Sequence, residues 1–192
     1  MNHTSPDLAN VESAWRDAVL ENLARGKTIC QRAARYIVEN EIEIGFSRQK
    51  TGARWTLNRR IELNSASFSK RMGTSPTNST LLGFIVHEAI HLEQGAALAL
   101  SVKGELDAWQ AQREACRELG APIRKDVHWQ ALAVLTDNTS QDLGQARREM
   151  LRREGYRYLV WLLPLRPNLI TRFIENLQKI FYRNAFRKGD RA

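Results

Sequence analysis

A largely apolar helix that carries three polar side chains constrains this sequence more than any other feature. From about residue 79, apolar residues recur at helical spacing as far as Leu92, and Gly95 is the expected stop. The same stretch contains His87-Glu88-Ala89-Ile90-His91. Buried polar groups need partners, so two histidines and a glutamate on such a helix are hard to explain without a ligand.

The spacing of these residues indicates a metal ion. His87 and His91 lie four residues apart, on one face of the helix, and their imidazoles can converge on zinc at about 2.0–2.1 Å. Glu88 is one residue further on than His87 and therefore sits beside the metal, where it can take a proton from a zinc-bound water. The sequence thus predicts a Zn²⁺ site with Glu88 as the general base.

A tetrahedral catalytic zinc needs a third protein ligand and leaves its fourth position to water. The downstream candidates are Glu105, Asp107, Asp126 and His128. Glu105 is the best of them, because it opens the next predicted helix and a turn over 101–104 would bring that helix back against the first. Ala108 and Gln112 share its face, and a small residue such as Ala108 permits close helix packing.

Two of the other candidates have further roles open to them. Asp107 can instead accept a hydrogen bond from a ligating histidine. His128, Tyr156 and Tyr158 are candidates, by residue type alone, for the donor that stabilises an oxyanion. His128 stands beside Trp129 and is equally compatible with a packed surface histidine.

The patterns on either side of the motif predict an α+β fold that is predominantly helical. Helical spacing runs from about residue 6 to residue 37, and Gly26 is the point at which this long helix can bend or split. Alternation over 42–46 and again over 55–63 predicts two strands that form a β-hairpin. We expect a core over residues 1–135 and a basic helical extension over 136–192, packed on the core or interfacial.

The composition limits the class of protein. A chain of 192 residues can bury a core without disulfides or structural metals. Its two cysteines, Cys30 and Cys116, fit a reducing compartment. The first ten residues have neither a basic start nor an apolar stretch, so no signal peptide is expected. We therefore predict a cytoplasmic protein, peripheral to the membrane if its basic extension binds lipid.

The net charge of +8 lies entirely in the last quarter of the chain. Residues 144–192 hold 12 basic and 4 acidic residues, whereas residues 1–143 hold 17 of each. Residues 158–188 combine apolar and cationic faces, as in an interfacial helix on an anionic membrane surface. The favoured alternative is a helix that packs its apolar stripe onto the body and shows its arginines to solvent. The sequence does not favour nucleic acid as a partner, because the body is neutral and no reading motif is present.

His87-Glu88-x-x-His91 followed by Glu105-Leu106-Asp107-Ala108 resembles the gluzincin type of zinc metallopeptidase. The resemblance covers roughly residues 8–120. It implies a zincin-like core, built from a long N-terminal helix, a β-hairpin, the motif helix and a helix that carries the third ligand. It also implies that the strand over 61–64 is the sheet edge that pairs with substrate backbone.

The resemblance further implies hydrolysis of a peptide or protein substrate. Zinc would be held by His87, His91 and Glu105, and Glu88 would pass the proton of the water to the leaving amine. Two alternatives stay open. One is a non-catalytic zincin-like domain that binds or regulates through its basic C-terminal region, and the other is hydrolysis of a non-peptide amide.

Overall fold

The computed structural model describes residues 6–68, 75–121, 127–155 and 159–189, with side chains from residue 13 to residue 179 except Leu159. Within these ranges the chain is α+β and mostly helical, which confirms the predicted fold class. The elements are, in chain order, α1 (Pro6–Arg25), α2 (Thr28–Glu39), β1 (Glu43–Ser47), β2 (Ala53–Trp55), β3 (Arg60–Asn64), α3 (Ser79–Ala99), α4 (Val102–Glu118), α5 (Val127–Ala133), α6 (Ser140–Glu154), a 3-10 helix (Leu159–Leu162) and α7 (Leu169–Gly189).

The long N-terminal helix splits at Gly26 into α1 and α2. A Cβ atom on Gly26 would lie 2.5 Å from Cβ of Cys30, so no larger residue fits this corner. The carboxylate of Glu118, at the end of α4, accepts hydrogen bonds from the backbone N–H groups of Lys27, Ile29 and Cys30 at 3.0, 3.1 and 3.1 Å. It therefore supplies acceptors for the free N–H groups at the start of α2 and joins that helix to α4.

The predicted hairpin, which paired a strand over 42–46 with one over 55–63, is wrong. The order of the sheet is β1-β3-β2, with β1 parallel to β3 and β2 antiparallel to β3. The stretch predicted as one strand is broken by a turn, in which the N–H of Arg59 donates to the carbonyl of Thr56 and Arg59 has a φ of 55°. The hairpin therefore joins β2 to β3, and β1 pairs with β3 across a longer connection.

This topology also corrects the role expected of residues 61–64. They belong to β3, which lies between the other two strands and so has no free edge. The edge strand that packs against α3 is β2. Ala53 and Trp55 of β2 stand opposite Leu63 and Ile61 of β3.

Two hydrophobic clusters form the interior, and α4 contributes to both. The first lies between α1, α2, the sheet and α3, and receives Ala108, Ala111 and Ala115 from α4. The second receives Val102, Leu106 and Trp109 from α4. Its other buried members are Leu132, Leu135, Leu143, Ala146, Met150 and Val160. The second cluster thus joins residues on both sides of the boundary expected at residue 135.

The last helix, α7, packs against α3. The expectation that its apolar stripe faces the body is wrong for the described residues, because Leu169, Ile170 and Phe173 are exposed while Thr171 is buried. Along the part of the chain with assigned structure, no helix is both long enough and apolar enough to cross a bilayer.

Candidate metal centre

The helix α3 carries the histidine motif through the middle of the molecule. Its start is capped by Asn78, whose side-chain oxygen accepts hydrogen bonds from the N–H groups of Thr80 and Leu81. Gly95, the expected stop, has backbone angles outside the helical range (φ 75°, ψ 162°), so the regular motif helix ends there and a second short helical segment runs on to Ala99. Elements pack on α3 from several sides, and His87, Glu88 and His91 are all buried.

A tight connection returns the chain and starts α4 beside α3. The hydroxyl of Ser101 accepts a hydrogen bond from the N–H of Gly104 at 3.1 Å and caps the new helix. A Cβ atom on Gly104 would lie 2.1 Å from the carbonyl oxygen of Leu98, so only glycine fits here. The side-chain amide of Gln94 donates to the carbonyl of Gly104 at 3.2 Å. These contacts bring Glu105, in the first turn of α4, against the two histidines.

Three ligand residues, His87, His91 and Glu105, converge between α3 and α4. The Nε2 atoms of His87 and His91 are 3.1 Å apart. Glu105 Oε1 lies 3.5 Å from Nε2 of His91, and Oε2 lies 3.8 Å from Nε2 of His87. Zinc bonds of about 2.0–2.1 Å at tetrahedral angles place neighbouring ligand atoms about 3.3 Å apart. The observed separations bracket that value, so the residues fit zinc.

The hydrogen bonding of the histidines supports the same fit. Nδ1 of His87, Nδ1 of His91 and Oε1 of Gln94 are buried and have no hydrogen-bond partner among the described residues. An imidazole that binds metal through Nε2 keeps its proton on Nδ1, and that proton is normally given to a nearby acceptor. Gln94 follows His91 by three residues and offers such an acceptor on the same side of α3.

Burial and charge set the protonation of the three polar residues of the motif. Burial, together with the neighbouring charge of His91, lowers the pKa of His87 to about 3. Burial would also lower the pKa of His91, but the carboxylate of Glu105 outweighs it and the pKa is raised. Burial raises the pKa of Glu88 to about 7. His87 is therefore neutral at pH 7, the form in which imidazole binds metals.

Glu88 lies next to the ligand cluster without belonging to it. The backbone N–H of Trp55, at the end of the edge strand β2, faces the Glu88 carboxylate and favours the charged form, against the effect of burial. The ring of Trp55 lies 6.2 Å from the ring of His91, measured between centroids. The edge of the sheet thus lies against Glu88, which is buried beside the two histidines.

Neither Asp107 nor His128 joins the cluster of His87, His91 and Glu105. Asp107 accepts hydrogen bonds from the ammonium group of Lys103, one turn earlier, at 2.5 Å. His128 lies on α5, where its Nδ1 is 2.6 Å from Oε2 of Glu149. The other three candidates, Asp126, Tyr156 and Tyr158, lie outside the described residues.

A stack of aromatic and cationic groups beside His87 has no counterpart in the sequence-based predictions. The Trp109 ring lies 6.4 Å from the ring of His87. The guanidinium of Arg153 lies 4.6 Å from the centre of the Trp109 ring and 4.4 Å from that of Trp129. The i+4 spacing of Trp109 from Glu105 was visible in the sequence, but the arrival of Arg153 from α6 depends on the tertiary fold.

Comparison with known proteins adds no further identification: no protein-family model matches the chain, and no curated protein or solved structure matches it significantly.

Proposed function

We propose that this protein is a zinc-dependent hydrolase that cleaves peptide bonds. His87, His91 and Glu105 hold the zinc ion, and Glu88 is the general base. The observation that supports this most strongly is the convergence of three ligand residues from two helices. The two Nε2 atoms are 3.1 Å apart, and the two carboxylate oxygens of Glu105 lie 3.5 Å from Nε2 of His91 and 3.8 Å from Nε2 of His87. A separate carboxylate, that of Glu88, is buried next to the cluster and is not one of the ligands.

Zinc, when bound, supplies a Lewis acid and lowers the pKa of a water toward 7. The chain supplies the proton transfers. Glu88 takes the proton of the attacking water and gives it to the leaving amine. The backbone N–H of Trp55 faces this carboxylate and favours its charged form, the form that can accept the proton.

The edge strand β2 favours a peptide over other amides. Arg54 stands opposite Glu62 in β3, and the neighbouring cross-strand hydrogen bonds join Thr56 to Arg60 and Gly52 to Asn64. The backbone groups of Ala53 and Trp55 therefore point away from β3. The carbonyl of Ala53 accepts a hydrogen bond from the hydroxyl of Thr51 at 2.8 Å and the N–H of Trp55 faces Glu88, so the N–H of Ala53 and the carbonyl of Trp55 are the groups proposed to pair with a peptide. An extended peptide can add to such an edge by main-chain hydrogen bonds.

The test is cleavage of a mixed peptide library by the zinc-loaded chain and by Glu88→Gln. We expect the variant to keep its zinc and to lose about 10²–10⁴-fold in turnover, the usual contribution of a general base. The matched control is Glu93→Gln, on the same helix, where the carboxylate pairs with Arg32 near the surface. Its turnover should equal that of the wild type.

Equal turnover by Glu88→Gln and the wild type would contradict the proposed role of Glu88. A chain that holds zinc and cleaves no peptide would contradict the peptidase and leave two alternatives. Turnover of a small non-peptide amide would identify an amidohydrolase. Absence of turnover on both substrates would identify a non-catalytic zinc domain.

A further inference from the structure

The described part of α7 turns its polar side toward the body of the protein. Thr171 is buried, and the side-chain amide of Gln178 donates to the carbonyl of Leu57, in the turn between β2 and β3, at 3.0 Å. The carboxylate of Glu175 approaches Gly95, the kink of α3, so closely that a Cβ atom there would lie 3.1 Å from it. These three residues fall on one face of α7 and fix its orientation on the body.

The opposite face of α7 is apolar and exposed. Leu169, Ile170, Phe173 and Leu177 retain 84%, 69%, 62% and 38% of their accessible surface. They recur at helical spacing and so form one stripe. Trp161, on the preceding 3-10 helix, is also exposed. A stripe of large apolar side chains on the surface marks a place where the protein meets something apolar.

The positive charge of the same segment indicates that this apolar partner also carries negative charge. Residues 169–189 contain five basic residues and one acidic residue, Glu175, which pairs with Lys179 at 3.0 Å. Arg172 lies between the exposed residues of the stripe in sequence and is itself exposed. Apolar side chains next to a cationic helix are typical of helices that lie in the headgroup region of anionic membranes.

We propose that the exposed stripe of α7 docks this protein onto the surface of an anionic lipid bilayer, with Leu169, Ile170 and Phe173 entering the headgroup region and Arg172 contacting lipid phosphates. The helix lies in the plane of the membrane and does not cross it. This inference is independent of the metal centre and of the proposed hydrolase activity.

Two other partners fit the observations less well. A second copy of the chain on the same stripe would set two cationic helices against each other, which is unfavourable. A nucleic acid would use the basic residues, but contacts to phosphates do not explain why the large apolar side chains face outward.

The experiment is co-sedimentation of the full chain with lipid vesicles of two compositions. One is phosphatidylcholine alone, and the other is an equimolar mixture of phosphatidylcholine and phosphatidylglycerol. We expect the chain to partition onto the mixed vesicles, to bind phosphatidylcholine much more weakly, and to lose affinity as the salt concentration rises.

Two variants separate the apolar and the cationic contributions. Phe173→Gln should lower the partition coefficient about tenfold, since burying one large apolar side chain is worth about that factor. Arg172→Gln should lower it about fivefold on the mixed vesicles and leave binding to phosphatidylcholine unchanged. The matched controls are Val38→Gln and Arg35→Gln on α2, where both side chains are also exposed and should not affect binding.

Three results would overturn the proposal. The first is absence of binding to the mixed vesicles. The second is binding that Phe173→Gln and Val38→Gln reduce equally. The third is a concentration-dependent dimer, seen by analytical ultracentrifugation without lipid, that Phe173→Gln dissociates, because a second copy would then cover the stripe. Circular dichroism and zinc content of each variant check that the fold is retained.

Discussion

The helices α3 and α7 have the same length of 21 residues and reverse the usual placement of side chains in opposite ways. In α3, two histidines and a glutamate are buried, although such groups are rarely buried without partners. In α7, Leu169 and Phe173 face outward while Thr171 is buried. Buried polar groups without partners cost stability and exposed apolar groups contribute little, so we propose that a ligand completes each helix.

The two helices also differ in their surroundings, and this explains why their reversals call for different partners. Neighbouring elements pack on α3 from several sides, so what completes its polar groups must be small, such as one ion. Among the described elements α7 contacts chiefly α3, and its outer face is open. What covers that face can therefore be as extended as a membrane surface.

Removing the metal should have the largest effect, and it should affect α3 and leave α7 unchanged. With free zinc a thousandfold above its dissociation constant, chelation should lower the free energy of unfolding by about 4 kcal/mol. Vesicle binding by the folded apo-protein should not change, because α7 holds none of the ligands. Urea unfolding and co-sedimentation measure the two effects. The Glu105→Ala variant is the control and should not respond to the chelator.

Gly104→Ala should disturb the metal centre through the backbone. The new Cβ atom would meet the carbonyl oxygen of Leu98 at 2.1 Å, so the start of α4 must move, at a cost of about 3 kcal/mol or more. Gly144→Ala is the matched control, since its Cβ atom would meet nothing closer than 3.8 Å and should be neutral or stabilising by up to about 1 kcal/mol. Similar unfolding midpoints for the two variants would contradict the packing of α4 on α3.

Gln94→Leu tests whether the amide beside His91 supports the ligands. The variant loses the hydrogen bond to the carbonyl of Gly104 and the acceptor available to an imidazole N–H. We expect zinc affinity, measured by competition with a chromophoric chelator, to fall about 10- to 100-fold. Gln110→Leu is the control: it loses hydrogen bonds to the carbonyls of Leu132 and Leu135 on the far side of α4 and should keep the affinity.

Glu118 contrasts with the buried polar residues of α3, because its carboxylate accepts hydrogen bonds from backbone N–H groups of the chain itself. Burial would raise its pKa, but the N–H groups of Ile29, Cys30 and Lys27 outweigh burial and lower it. The stability this gives is present above the unfolded pKa, about 4.3, and is lost as pH falls through the folded value. Glu118→Gln should cost about 1 kcal/mol at neutral pH. The deficit, measured by urea unfolding, should shrink near pH 3; a constant deficit would contradict the assignment.

The smallest effect is expected on α7. Phe173→Gln should change the free energy of unfolding by less than about 0.5 kcal/mol, because the side chain is 62% exposed. In the core of α3, Ile85→Ala should cost about 2–5 kcal/mol. Thermal unfolding compares them directly. A comparable loss in the α7 variant would mean that Phe173 is packed against the body and that the contrast between the two helices is false.

The candidate site could be predicted from local spacing because its parts lie on two successive helices. The interval of four residues put His87 and His91 on one face, and the short connection before Glu105 left few places for α4 to go. Spacing alone could not decide whether Asp107 would bind the metal or support a histidine. Its partner is Lys103, which lies one turn away on the same helix and competes with any more distant group.

The prediction of the fold was wrong where one sequence pattern is compatible with two structures and tertiary contacts decide between them. Alternation continued through the turn at Arg59, and only its positive φ shows that the strand ends there. The pairing of β1 with β3 depends on the packing of the whole sheet. An amphipathic helix such as α7 shows two faces in its sequence, but the residues that receive it, Gly95 and Leu57, decide which face docks.

The central claim is that α3 and α4 together form a zinc site. The most direct test is the zinc content per chain, by elemental analysis after dialysis against a weak chelator, of the wild type, Glu105→Ala and the control Glu114→Ala. We predict about one zinc per chain in the wild type and the control and none in Glu105→Ala. A wild type without zinc, or a Glu105→Ala variant that retains it fully, would contradict the account.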